Sequence, residues 1–195
     1  MSREASRSRT TGETDVRVRV DLDGSGASRI STGVGFFDHM LTLLARHSLI
    51  DLDVEARGDL ETGSHHTVED VGITLGQAIG DALGDRAGIE RYGAALIPMD
   101  EVLVQAAVDL SGRPFTAIDV PLPTTVIGGF ETELLEEFVR GLANHAGLTV
   151  HLRLLVPGNA HHVIEGSFKA LARALAQAVA PNPRVTGVPS TKGSL

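Results

Sequence analysis

The residues best equipped for chemistry come in two matching sets. His65 to Asp70 reads HHTVED and His161 to Gly166 reads HHVIEG, so one histidine-histidine-x-x-glutamate pattern occurs twice. On a helix, positions three and four apart share a face, which lets Glu69 meet His66 or His65, and Glu165 meet His162 or His161. Adjacent histidines diverge by roughly 100° on a 3.6-residue turn, so the two rings of a pair serve two ions better than they chelate one. Imidazole with carboxylate suits Mn, Fe, Co or Zn. The chain has no cysteine, which removes thiolate ligands, cysteine nucleophiles and disulfides. A single HHxxE at a helix start is commonly a solvated terminus. Two copies in matched surroundings are the context such a motif needs before it is read as metal binding.

Those surroundings are themselves repeated. Val16, Val18, Val20 and Leu22 alternate with charges as a half-buried strand, Asp23 to Gly26 turns, and a second strand around Ser28 to Ser31 is expected to complete a hairpin. A helix over Phe36 to Arg46, a strand over Leu49 to Ala56 and an amphipathic helix over His65 to Leu83 follow. The later half offers strands at Glu101 to Asp109 and Pro114 to Val120, a helix at Glu131 to Asn144, a strand at Leu148 to Val156 and a helix at His161 to Ala180. Both halves read ββαβα. Laying Leu43 to Ala56 on Gly141 to Leu154 places His47 over His145, and a two-residue gap then superposes the HHxxE motifs. The same register sets His39 opposite Glu137, so each half offers one further donor on its preceding helix.

The chain is therefore expected to consist of two internally duplicated ββαβα half-domains. It forms a single domain of two repeats, about 14–85 and 94–180, between a mobile N-terminal arm (Met1 to Glu13) and a Pro/Gly/Ser-rich C-terminal tail (181–195). That tail is ordered only if something holds it. The 42% hydrophobic content and absence of any membrane-length apolar run place the chain among cytoplasmic globular proteins. A formal net charge of -8 argues against nucleic-acid partners and for small molecules. Against that acidic background Arg91, Arg113, Lys169 and Lys192 lie at element ends or in the tail, Lys192 beside Ser190 and Thr191 in a hydroxyl-ammonium cluster suited to phosphate.

TTGET (Thr10 to Thr14), GVGFFDHML (Gly33 to Leu41), HHTVED, NAHHVIEGSFKALARAL (Asn159 to Leu175) and GVPSTKG (Gly187 to Gly193) together closely resemble the imidazoleglycerol-phosphate dehydratase family of histidine biosynthesis, in its monofunctional form. The resemblance implies a single catalytic domain of α+β fold, its duplicated half-domains made of small mixed sheets packed with paired helices, and trimers that build a 24-subunit shell with active sites between subunits and two Mn²⁺ per site. Carried over by position, one ion takes His39, His66, Glu69 and His161, and the other His65, Glu137, His162 and Glu165. Glu137 departs from those relatives that have histidine there, although carboxylate still ligates manganese.

The resemblance also implies a reaction. Two metals on the ring nitrogens of imidazoleglycerol phosphate favour an imidazolate that expels the hydroxyl through a diazafulvene-type intermediate, and proton loss then yields an enol and imidazoleacetol phosphate. Glu13 is given proton transfer at the second carbon, and Glu69, Glu165 and His47 complete the catalytic set. Substrate and phosphate contacts fall to Glu13, His39, His47, His65, Glu69, Arg91, Arg113, His161, Lys169, Ser190, Thr191, Lys192 and Gly193. Two rival readings of the same residues are a two-metal phosphoester hydrolase and a non-catalytic metal-binding assembly.

Overall fold

The computed structural model describes residues 2–193 and 195. Its first half runs β1 (Glu4–Thr10), β2 (Thr14–Asp21), β3 (Ser28–Ser31), α1 (Gly35–Ser48), β4 (Asp51–Gly58), a 3-10 turn at Leu60–Thr62 and α2 (His65–Leu83). Its second half runs β5 (Tyr92–Met99), β6 (Val102–Asp109), β7 (Phe115–Asp119), a two-residue pair β8 (Val126–Ile127) and β9 (Phe130–Glu131), then α3 (Leu134–Ala146), β10 (Thr149–Val156) and α4 (Ala160–Val179).

Two four-stranded sheets result, ordered β1-β2-β4-β3 and β5-β6-β10-β7. Strand senses repeat as well: each sheet is antiparallel except at its last pair, β3 with β4 and β7 with β10, which run parallel. A parallel neighbour needs a crossover connection, and α1 and α3 supply the helix of each. This corrects the expected hairpin between β2 and β3. The apolar alternation of Leu52, Val54 and Ala56 puts β4 beside β2 in the buried centre, whereas the short polar β3, SRIS, fits only an edge.

The expected N-terminal arm is also corrected, since β1 pairs with β2 from Glu4↔Asp21 to Thr10↔Asp15. Its sequence, EASRSRT, has no apolar alternation to announce a strand. Ionic ties hold it instead: Arg19 pairs with Glu4, Arg7 with Asp81, and Arg9 with Asp70. Strand β5, the counterpart of β1, was equally hidden in YGAALIPM, where Pro98 and small residues blur the pattern. Helix α3 begins at Leu134 rather than Glu131, because Phe130 and Glu131 pair with β8. The tail is fixed by Gly88 N–H donating to Gly187 O at 2.9 Å, and by Arg91 Nη1 donating to Pro189 O at 2.8 Å.

Inward valines of β2 and β6 (Val16, Val18, Val20; Val102, Val104, Val108) belong to one buried core with the helices. Helix α2 lies on the first sheet and α4 on the second, but α1 packs on α4 and α3 on α2. Each half thus lends its first helix to the other half's second. Close approach of α2 and α3 requires Gly72 and Gly76, where a Cβ would lie 2.8 Å from Phe138 O and 2.6 Å from Leu142 O. Rings seal the centre, with Phe37, Phe138 and Phe168 in consecutive contact at 5.5 and 5.1 Å between centroids.

Candidate metal and substrate site

Both histidine pairs stand at helix starts, where a polar N-terminal turn meets the loops at one end of a sheet. At the start of α2, His65 Nε2 lies 3.7 Å from Glu69 Oε2, one turn on. His66 Nδ1 donates to the Asp59 carboxylate, 3.1 Å from either oxygen, and so turns Nε2 outward. That outward nitrogen faces Glu13 Oε1 at 3.9 Å. Glu13 ends the β1–β2 turn, where Thr11 N–H donates to Thr14 O at 2.9 Å and Asp59 N–H donates to Glu13 O at 3.1 Å.

At the start of α4, the Asn159 side chain accepts from His161 N–H at 2.9 Å and caps the helix. Glu101 Oε1 accepts from Asn159 N–H at 2.7 Å, and Oε2 accepts from His162 Nδ1 at 2.9 Å. Glu165 collects three neighbours: His161 Nε2 at 3.3 Å and His39 Nε2 at 3.6 Å on one oxygen, with Lys169 Nζ donating to the other at 2.6 Å. The Phe36 ring meets His161 edge-on at 4.9 Å and helps fix its plane.

Electrostatics follow these contacts. Asn159 N–H and His162 hold the Glu101 carboxyl down at about 2. Asp59 raises His66, and Glu101 raises His162. Burial pushes His47, in the last turn of α1, downward, and the charges of Lys169 and Arg173 add to it. Burial opposes ionisation of Glu165, but Lys169 and His39 outweigh it and hold that carboxyl below its ordinary value.

The donor set fits borderline divalent ions: imidazoles, of which His66 and His162 have Nδ1 tied to a carboxylate, with glutamates one turn away. Within one chain these donors form two groups. One comprises His39, His161 and Glu165 on α1 and α4, with His162 of the same α4 turn tied to Glu101; the other comprises His65 and Glu69 on α2, beside His66 and Glu13. Among the described residues no hydrogen bond or ion pair joins one group to the other. Glu137 lies half-buried on α3, the helix packed on α2. Asp100 Oδ2 also approaches His162 Nε2, at 3.8 Å, although both oxygens of Glu101 beside it are already engaged.

The basic residues divide likewise. Arg91, Arg113, Ser190, Thr191 and Lys192 line a cavity of about 530 Å³, and Gly193 N–H closes the tail turn on Ser190 O at 3.1 Å. Arg91 is held there by Asp109, by Pro189 O and over the Tyr92 ring at 4.6 Å. Lys169 stands apart from that cavity, on Glu165, and His47 shares its charged surroundings.

Three residues of this constellation escaped the sequence reading. Asp70 is buried and accepts from Arg9 Nε at 2.8 Å and from the Thr14 hydroxyl. Asp59 carries no spacing signal. Glu101 does: like Glu13 it immediately precedes the second strand of its repeat, a correspondence visible only once β1 and β5 are recognised.

Two repeated sheets, paired helices and duplicated HHxxE starts define an α+β class of enzyme with donors for divalent ions. The sequence model of imidazoleglycerol-phosphate dehydratase matches residues 32–175. Imidazoleglycerol-phosphate dehydratases of Desulforamulus reducens and Moorella thermoacetica are 57% and 58% identical to this chain over 195 residues, covering all of both chains in each case. The crystal structure of the Staphylococcus aureus enzyme matches with a TM-score of 0.83 at 41% identity, over 92% of this chain and 99% of that one. The structure of the Pyrococcus furiosus enzyme in complex with (S)-C348 also scores 0.83, at 39% identity, over 97% of this chain and 100% of that one. The chain belongs to the imidazoleglycerol-phosphate dehydratase family.

Proposed function

We propose that the chain dehydrates imidazoleglycerol phosphate to imidazoleacetol phosphate in histidine biosynthesis, using two divalent ions, Mn²⁺ by its resemblance to the family, in a site built between copies of the chain. Its family supplies the dehydration. The observation that carries the rest is the split of the donors. Each expected ion draws on both groups: His39 and His161 from α1/α4 with His66 and Glu69 from α2, or Glu165 and His162 with His65 and Glu137. Two copies that present opposite groups to each other complete both sets. Tyr92, Leu96 and Phe115, 56–59% exposed on the second sheet, offer apolar surface for such assembly, whereas the first sheet presents Arg17, Arg19 and Glu55.

Divalent ions held by these donors would acidify the substrate's imidazole ring and so help its electrons displace the neighbouring hydroxyl. The chain's own residues do the rest. Arg113, Lys192 and the Ser190 hydroxyl receive the phosphate, with Arg91 bracing the tail that carries two of them. Glu13, whose carboxylate faces the outward side of His66, removes the proton from the second carbon. His47 and Lys169 border the opposite side through the Glu165 group. A cytoplasmic location suits this biosynthetic reaction, and among the described residues no helix is long and apolar enough to cross a membrane.

The test is turnover of imidazoleglycerol phosphate by chelated protein before and after manganese is added, scoring both ketone and free phosphate. Ketone formed only with metal is the expected result. Free phosphate without ketone, or no product from metal-loaded protein, would overturn it.

A further inference from the structure

The two repeats use equivalent glutamates differently. Glu13 and Glu101 each precede the second strand of their sheet, and the inward positions that follow them match, Thr14 with Val102 and Val16 with Val104. Each therefore lies beside the second histidine of a motif, Glu13 by His66 and Glu101 by His162. Glu101 is fully committed: one oxygen holds Asn159 N–H and the other holds His162 Nδ1. Among the described residues the Glu13 carboxylate accepts no hydrogen bond, because Asp59 already occupies His66 Nδ1.

The source of Asp59 is the connector between the last strand and the second helix of the repeat. In the first half this connector spans 59–64 and includes the 3-10 turn; in the second it spans only 157–159. The longer connector supplies an orienting carboxylate that the shorter one lacks.

We infer that Asp59 and Glu101 are positioning residues that hold His66 and His162 with Nε2 outward, and that the extra connector residues of the first repeat thereby free Glu13 for proton transfer. This rests on the two-metal reading above. A ligand histidine commonly donates its other ring hydrogen to a carboxylate, and loss of that carboxylate typically weakens metal binding by roughly 10–100-fold. Without Asp59 the His66 ring can turn, and Glu13 is the nearest remaining acceptor.

The test measures Mn²⁺ affinity of the full chain by equilibrium dialysis, alongside thermal melts of the metal-free protein. Asp59→Ala and Glu101→Ala are each expected to weaken binding by about 10-fold or more. Asp59→Asn and Glu101→Gln, which keep an acceptor, should recover much of that loss and keep the proposal testable if either alanine variant fails to fold. A second readout separates orientation from mere stability: crystals of metal-free Asp59→Ala should show the His66 ring rotated towards Glu13, with His162 unmoved. Affinities within twofold of the parent would overturn the inference while leaving the two-metal reading intact. A parent chain that binds no divalent ion would remove that reading, and this inference with it.

Discussion

Arg9 Nε donates to Asp70 Oδ1 at 2.8 Å, and the Thr14 hydroxyl donates to the other oxygen of the same carboxylate. The strand and turn that carry Glu13 are thereby tied to the helix that carries His65 and His66. Arg9→Ala should loosen that tie and misplace Glu13, lowering kcat by about 10–100-fold, the scale on which small misplacements act. Steady-state kinetics with metal content measured in parallel would show it; an unchanged kcat would mean that the turn positions itself.

Glu13→Gln keeps the shape of the side chain and removes its basicity. Turnover should fall by about 10²–10⁴, the usual contribution of a positioned base. Manganese content and assembly size should stay at parental values, because Glu13 is not among the expected ligands. A variant that keeps full turnover would move proton transfer to another group.

Chelation should disassemble the protein. On the proposed site, in which each ion draws on two copies, removing the metal deletes bonds between subunits. Sedimentation velocity is expected to show smaller species after chelation and their reassembly once manganese returns, whereas an unchanged profile would place the assembly energy in protein contacts such as the face of Tyr92, Leu96 and Phe115.

Gly76→Ala places a Cβ 2.6 Å from Leu142 O, where α2 and α3 are closest. Overpacking of this kind costs about 1–3 kcal/mol, which for a chain of this size lowers Tm by roughly 2–4 °C per kcal/mol. The melt should be taken on metal-free protein, so that ligand linkage does not mask the change.

Asp51 gives a pH dependence remote from the metal donors. Its Oδ1 accepts from Ser25 N–H at 2.7 Å and Ala27 N–H at 2.8 Å, and these bonds hold the carboxyl below its ordinary range. A folded-state value below the unfolded one contributes stability above the unfolded pKa, near 3.9, and that contribution is lost as pH falls through the folded value. Asp51→Asn, which keeps an acceptor but not the charge, should therefore be less stable than the parent at pH 7 and converge on it below about pH 4. Urea unfolding of both proteins at the two pH values checks this, and a constant gap would assign the effect to geometry rather than charge.

How much of this was legible in the sequence depended on whether a residue's role left a periodic trace. Val16, Val18 and Val20 announced a strand because burial on one face enforces alternation, and His65, His66 and Glu69 announced themselves by returning at His161, His162 and Glu165. Strand β1 left no such trace. Its backbone pairing is satisfied by any residue, and Arg7 and Arg9 bind through charge to Asp81 and Asp70, distant in sequence. The partner of β3 was hidden for a related reason: polar SRIS marks an edge strand but not the strand it borders, and β4 reaches its place between β2 and β3 only after the crossover through α1. Asp59 was out of reach because a single carboxylate in a loop becomes an orienting group only when the helix start folds back beside it.

Because the halves exchange helices, neither can bury its whole apolar surface alone. A lone half would leave uncovered the face of its first helix that meets the other half, since α1 lies on α4 and α3 on α2. Such a fragment could hide that face only by meeting a second fragment of the same kind, each giving its helix to the other. Covalent linkage of the two halves turns that encounter, which would otherwise depend on concentration, into an intramolecular one. Linked halves need not be identical: the first carries the longer connector, 59–64, and the second has Glu137 where the first has His39. Residues 1–87 and 88–195, produced as separate polypeptides, should on the same grounds be unfolded apart and fold when mixed.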